Sequence, residues 1–322
     1  MGRFGVALNG YGLPVDGGRR AVLPWDDVVT FAETAERTGY EAVFTPEIGA
    51  REAFSTLTAL AGHTSTIRLA TGVVPIGSRD VRRMAMEAAT LQDLSGGRAI
   101  LGLGSRVPID VTRNEIGAIR DLLAGEEPKV EAEDGTLAVG ALDLVPERVP
   151  VYLAGLGPRM VELAGEVADG VVLNWCTPER VERARREIER GASRGGRSAD
   201  AVTICVYVRA CVGQSEAHAL EALREAAAEY AGMDPYRRQF EAMGLGAEAA
   251  RAAAASGVEE VPEALVDAVC VRGGRAEALE RLASYHDAGA DLVVVYPIPV
   301  LDAATSIAGS ILGVAPAPAV ES

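Results

Sequence analysis

The chain is poor in cysteine, histidine and aromatic residues, and basic charge is outnumbered. Its four cysteines are Cys176, Cys205, Cys211 and Cys270. No two of them form a C-x-x-C pair, and the three histidines complete no ligand set with them, so no metal site is expected. Cys205 and Cys211 fall an even number apart on one predicted strand. They share a face but stand too far apart along it to bond, and reduced thiols follow. No apolar run reaches the ~20 residues that a membrane span needs. The opening residues, MGRFGVALNG, lack the long apolar core of a signal peptide, so a cytoplasmic setting is expected. Against 46 Asp and Glu there are 31 Lys and Arg, a formal charge of −15. That balance argues against nucleic acid and anionic membrane surfaces as partners, since both require a basic face.

What is present is an alternation that runs the length of the chain. Apolar runs of buried-strand type cover Phe4–Asn9, Ala42–Thr45, Ile67–Val74, Ala99–Gly104, Val149–Ala154, Gly170–Asn174, Val202–Val212 and Asp291–Pro297. Helical periodicity fills the gaps over Trp25–Thr38, Glu52–His63, Asp80–Leu94, Val111–Leu123, Pro158–Ala168, Pro178–Arg190, Ser215–Tyr230 and Ala276–Ala288. Thr38-Gly39 and Ala288-Gly289 are helix ends of the usual glycine type. Eight strand–helix repeats in 322 residues predict an α/β protein, a (β/α)8 TIM barrel formed by residues 1–314 as a single domain. A doubly wound open sheet is the runner-up. Pro128–Pro146 reads as an excursion or hairpin, Met233–Val271 as extra helix between the seventh strand and the eighth helix, and 315–322 as a flexible Pro/Ala-rich tail.

The densest signal is VPVYLAGLGPRMVELAGEVADGVVLNW, Val149–Trp175. It reads as strand, glycine turn, helix, strand. Gly155, Leu156, Gly157 and Pro158 make the turn, and Pro158 suits the first helical position, where its missing N–H costs nothing. A small-residue turn that opens a helix offers backbone N–H groups and the positive end of the helix dipole. Arg159 adds a charge beside it, so a phosphate-bearing cofactor is expected at this strand end. The other glycine pair, Leu101-Gly102-Leu103-Gly104, lacks the third glycine of a dinucleotide fingerprint, because Val107 stands there; it reads as a tight strand end.

Four blocks resemble the bacterial luciferase-like monooxygenase superfamily, and within it the deazaflavin-dependent reductases of the methylenetetrahydromethanopterin reductase type. They are Gly39–Glu47, Thr64–Ser105, Val149–Trp175, and the region from Tyr236–Gly246 through Val261–Val269 to His286–Val295. The resemblance implies a (β/α)8 barrel that binds coenzyme F-420 or FMN at the C-terminal ends of its strands. It implies a non-prolyl cis peptide at Gly72-Val73 against the deazaflavin ring, and the cofactor phosphate on Gly155, Leu156, Gly157, Pro158 and Arg159. Asn174 and Trp175 would lie near the cofactor, and Ser105 and Arg106, after the fourth strand, would help to bind it. Two departures stand out. Glu47 is followed by Ile48 and Gly49, where many deazaflavin-dependent members have a histidine close behind the acidic residue. Arg106 and Val107 stand where relatives place a glutamate, and the loop after the fourth strand is shortened.

Glu47, at the end of the second strand, is therefore the nearest candidate for a proton donor, against the plainer reading of a glutamate paired with Arg51 or Arg79. Asn9, at the end of the first strand, is expected to bind substrate or orient a ring carbonyl, or else to cap the strand before Gly10. Arg79 and Arg106 are candidates to clamp an anionic substrate or the cofactor's acidic tail. The leading expectation is an F-420-dependent oxidoreductase that passes a hydride to an activated C=C or C=N of a small-molecule or peptide substrate, a homodimer being one assembly consistent with the family. The alternatives are an FMN-dependent monooxygenase and a non-catalytic barrel that binds a cofactor or partner.

Overall fold

Eight strands carry the architecture of the computed structural model, which describes residues 2–15, 19–132 and 135–316. They are β1 (Arg3–Ala7), β2 (Ala42–Thr45), β3 (Arg68–Thr71), β4 (Ala99–Gly104), β5 (Val151–Ala154), β6 (Gly170–Asn174), β7 (Thr203–Val212) and β8 (Leu292–Pro297). Their order in the sheet is β5-β6-β7-β8-β1-β2-β3-β4, and β5 also pairs with β4, the order of a closed ring of eight. Each strand is followed by a helix: α1 (Trp25–Arg37), α2 (Ala53–Ala61), α3 (Val81–Leu94), α4 (Ile109–Leu123), α5 (Pro158–Val167), α6 (Pro178–Arg194), α7 (Glu216–Ala231), and a closing helix at Ala303–Gly313.

Contacts divide the chain into two units. The first comprises Met1–Val43, Leu173–Arg185 and Ile204–Ser322. Its strands β1, β8 and β7 run parallel, with Val6 opposite Val295 and Arg209 opposite Tyr296. All six residues of β8 are buried, as a parallel strand covered on both faces demands. The predicted extra helix is three helices, Asp234–Ala242, Gly246–Ala254 and Glu263–Val269. They pack on α7 through one apolar cluster that includes Leu223, Phe240, Leu265 and Trp175. A short strand, Cys270–Gly273, ends this insertion and pairs with β7.

The second unit comprises Phe44–Val172 and Arg186–Thr203. Here β3 pairs with β4, β4 with β5, and β5 with β6, all in parallel. The expected hairpin after α4 pairs Lys129–Ala132 with Gly135–Ala138. The loop after β4 is even shorter than its sequence indicates, since α4 already starts at Ile109.

Three elements escape the sequence reading. The hairpin Tyr11–Val15/Arg19–Val22 contains Pro14 and a bulge that blurs its alternation. The helix Ala303–Gly313 is built of small residues with a weak apolar stripe, and Asp302 caps it by accepting from the Thr305 N–H at 2.7 Å. The strand Cys270–Gly273 begins within Met233–Val271, which reads as extra helix. The tail also begins later than expected: Ala315 is 2% exposed and its carbonyl accepts from Arg275 at 3.0 Å. Residues 317–322, the rest of that tail, lie outside the described residues.

Asp169, in the α5–β6 turn, ties that turn to the start of β5 in the second unit. Its carboxylate accepts from the Val151 N–H at 2.9 Å and pairs with Arg120 and Arg148. Burial opposes its ionisation, but these three donors outweigh burial and hold the carboxyl below its ordinary range. A folded pKa below the unfolded value means stability that is present above the unfolded value and lost as pH falls through the folded one. Asp169→Asn is expected to cost about 2 kcal/mol near neutral pH, at the low end for a buried ionic group because both arginines reach solvent. Thermal melts between pH 7 and about pH 2 check this: the variant loses less of its remaining stability on acidification than the wild type, and identical acid limbs would contradict it.

Candidate functional site

Every predicted site residue of the second unit stands at or just beyond the C-terminal end of a strand. The Gly72–Val73 peptide after β3 is cis, the only such bond among the described residues. The residues around it, Thr71 and Val73, crowd the glycine pair of β4. A Cβ on Gly102 would lie 2.1 Å from the Thr71 carbonyl oxygen, and one on Gly104 would lie 2.7 Å from Val73 Cγ2. Glycine is required there by close approach of the neighbouring strand end. Thr71 locks the pair, its hydroxyl donating to the Gly102 carbonyl at 2.8 Å and accepting from the Gly102 N–H at 2.7 Å. After β4, Ser105 Oγ lies 2.6 Å from Thr112 Oγ1 and also bonds the Val107 backbone, which folds the short loop onto α4. Arg106 is exposed.

The glycine turn after β5 forms as predicted. Gly157 is the N-cap of α5 and Pro158 its first residue. The two glycines have different reasons. A Cβ on Gly155 would meet Val161 Cγ2 at 3.0 Å, so this glycine lets the turn lie against its own helix. A Cβ on Gly157 would meet nothing within 4 Å, and its φ of −90° suits any residue. No packing or backbone reason keeps Gly157 small, and the space beside it is open. Leu156 is half-buried, while Gly157, Pro158 and Arg159 are exposed.

Glu47 takes the plainer of its two readings, the pair with Arg79. Both carboxylate oxygens bond Arg79, Oε1 to Nη1 and Oε2 to Nη2, each at 2.8 Å. Arg79 also holds Glu52 at 2.7 Å and Glu87 at 2.6 Å. Hydrogen bonding to Glu47 drives the Arg79 guanidinium further toward its charged form. Both oxygens of Glu47 are thus taken up by one guanidinium, which leaves the carboxylate committed to an ion pair. Arg79, surrounded by three carboxylates, is unsuited to clamp an anion. Glu47→Gln is expected to lower stability by about 1–2 kcal/mol and to leave turnover within a few-fold of wild type. A melting curve and a rate on the same sample check both, and a rate loss of a hundredfold or more would restore Glu47 as the acid.

The first unit holds a cluster that the sequence reading touched only at its edges. Asn9, two residues past β1, donates from Nδ2 to Tyr296 Oη at 3.0 Å, while its Oδ1 accepts the Tyr11 N–H at 2.9 Å. It caps the strand end and orients a phenol. Asn174, the last residue of β6, accepts from Arg209 through Oδ1 and donates to Tyr236 Oη at 2.9 Å. Gln239 secures this corner by donating to the carbonyls of Asn174 and Trp175 at 2.7 and 2.6 Å. Trp175 takes a left-handed φ of 51° and is fully buried in the apolar cluster beside Cys211 and Phe240. The resemblance puts it against the cofactor; the structure makes it a wall behind Arg209, whose Cζ lies 4.6 Å from its ring centroid.

Arg209 went unnoticed in the sequence. The signal available was a single charge inside the apolar strand TICVYVRACV. It is 3% exposed. Its Cζ lies 4.2 Å from the Tyr296 ring centroid and 5.1 Å from that of Tyr230. Burial raises the Tyr296 phenol to about 12, against the opposing pull of Arg209. The phenol therefore keeps its proton at neutral pH. Because Oη accepts from Asn9, its own O–H is directed elsewhere.

Among the described residues no His, Cys, Asp and Glu cluster is placed to hold a metal ion, and no helix is long and apolar enough to cross a membrane.

Comparison with known proteins places this arrangement. The family model described as luciferase-like monooxygenase matches residues 4–292. A 5,10-methylenetetrahydromethanopterin reductase of Methanolobus tindarius is 34% identical over 217 residues, covering 62% of this chain and 67% of that one. Among solved structures, the coenzyme F-420-dependent tetrahydromethanopterin reductase of Methanopyrus kandleri matches with a TM-score of 0.74 at 22% identity, covering 98% of both chains. A coenzyme F-420-dependent secondary alcohol dehydrogenase, solved with an F-420–acetone adduct, matches with a TM-score of 0.77 at 17% identity, over 97% of this chain and 98% of that one. At such identities the two structures speak for the fold, the (β/α)8 barrel read from the strand order. The family model spans most of the chain, and this protein belongs to the luciferase-like monooxygenase family of enzymes.

Proposed function

We propose that this protein is a coenzyme F-420-dependent oxidoreductase that transfers a hydride to an activated C=C or C=N of a small-molecule or peptide substrate. The observation that carries the reading is the turn Gly155–Arg159. It follows a parallel strand, opens a helix, and keeps open the space beside Gly157, where a Cβ would meet no protein atom. A phosphate fits such a turn, because helix-start N–H groups and the dipole favour an anion and Arg159 adds a cation. The two solved structures named above for F-420 share the fold, and the Methanolobus reductase shares a third of the matched sequence.

On this reading Gly155, Leu156, Gly157, Pro158 and Arg159 hold the phosphate, and Gly72 and Val73 support the ring, with Ser105 fixing the adjacent loop. Coenzyme F-420, when bound, supplies the hydride. The protein's own residues bind, orient and deliver a proton. Asn9 fixes the Tyr296 phenol by donating to Oη, and Tyr296 holds the proton that the reduced substrate requires at its heteroatom or carbon. Arg209, over the Tyr296 ring, stabilises the phenolate left behind. Solvent returns the proton.

The test is anaerobic turnover. Reduced coenzyme F-420 mixed with the protein and a panel of activated alkenes and imines is expected to be oxidised with an equal amount of substrate reduced. Turnover that instead requires reduced FMN and consumes oxygen would replace this reading with the monooxygenase alternative.

A further inference from the structure

We infer that Arg209 is the core of a binding site for a carboxylate, carried by the substrate of the reaction proposed above. The inference rests on that reading only for the word substrate; the anion site stands on the first unit alone.

Arg209 is a buried cation without a counter-charge. Among the described residues no Asp or Glu forms an ion pair with it, although the chain has 46 acidic residues and most buried charges find a partner. Its neighbours are neutral. Asn174 and Tyr230 each accept one of its five N–H donors, the Tyr230 bond being long at 3.3 Å. The rings of Tyr296, Tyr230 and Trp175 face it. Such faces offset part of the cost of burying the charge, but they do not neutralise it. The structure thus keeps a permanent positive charge in an aromatic box whose members carry no formal charge.

The residues at its border are the route by which a ligand would reach it. Asn9, Asn174, Tyr230 and Tyr236 are only half-buried, and Asn174 is hydrogen-bonded both to Arg209 and to Tyr236. A planar guanidinium matches the two oxygens of a carboxylate better than a single-point acceptor does. The tyrosine rings beside it suit a flat, unsaturated body attached to that carboxylate. The Tyr296 hydroxyl, adjacent in register to Arg209, then faces the same ligand.

The chain contains two tryptophans, so Trp25→Phe leaves Trp175 as the only indole reporter, one ring away from the guanidinium. Benzoate is the probe, with benzamide as its neutral counterpart. In Trp25→Phe protein, benzoate is expected to change Trp175 emission saturably, with benzamide at least tenfold weaker. Arg209→Met is expected to weaken benzoate at least tenfold, leave benzamide unchanged and melt no lower than its parent. Arg209→Lys keeps the charge but not the fork, and is expected to bind benzoate with intermediate affinity. No response to millimolar benzoate, or equal benzoate affinity in Arg209→Met, would overturn the site. A lower melting temperature in both variants with benzoate affinity retained in Arg209→Lys at the wild-type level would make Arg209 a structural residue. A stronger response to inorganic phosphate than to benzoate would overturn the carboxylate assignment. The titration is repeated with coenzyme F-420 present. Unchanged benzoate affinity supports a substrate carboxylate, whereas displacement of benzoate assigns the anion to the cofactor's own tail and overturns it. Benzoate binding in a protein that fails to bind coenzyme F-420 would sink the proposed reaction and keep the anion site.

Discussion

Tyr296→Phe is expected to slow turnover ~10²–10⁴-fold, the range for removing a positioned acid. Phenylalanine keeps the ring that packs 4.2 Å from Arg209 Cζ and deletes only the hydroxyl. Asn9 loses an acceptor, but it is half-buried and water can replace it, so stability is expected to fall by no more than about 1 kcal/mol. The pH profile separates chemistry from structure. With the phenol raised to about 12 by burial, the wild type has its proton in place throughout the neutral range, so the loss in the variant is the same at pH 6 and at pH 9. Asn9→Ala, which frees the hydroxyl without removing it, is expected to give a smaller loss. Rates within threefold of wild type for Tyr296→Phe would leave water or the substrate as the proton source.

Gly157→Leu is expected to weaken coenzyme F-420 at least tenfold, about 1.4 kcal/mol per factor of ten. The structure sharpens the reason. At most crowded glycines a side chain fails because protein stands in the way, as at Gly102 or Gly104. At Gly157 nothing stands in the way, and the φ of −90° is ordinary. The substitution should therefore fold and melt as the parent does, and any loss of affinity belongs to the ligand that shares the space. Gly155→Leu makes the contrast, since its Cβ already presses on Val161 and the cost falls on folding. Equal affinity of folded Gly157→Leu and wild type would remove the turn from the cofactor site.

The strands were legible because parallel strands buried on both faces are written as unbroken apolar runs; β8 reads LVVVYP and is buried throughout. The glycine turn was legible because Gly157 and Pro158 satisfy a local rule for starting a helix, independent of anything distant. What stayed open was whatever depends on partners remote in sequence. Glu47 and Arg79 are 32 residues apart; the sequence offered their pairing as one reading among others, and the fold selects it. Trp175 stands next to Asn174, yet one left-handed residue sends the indole into the core. Arg209 carried a local anomaly, a charge in an apolar strand, but its meaning required the three rings that come from the residue after β6, from α7 and from β8.

The most direct measurement of the central claim is equilibrium titration of the purified protein with coenzyme F-420 and, separately, with FMN. The account predicts saturable binding of coenzyme F-420 with FMN at least tenfold weaker, and a parallel loss of F-420 affinity in Gly157→Leu. Tight FMN binding with no binding of coenzyme F-420 would contradict it.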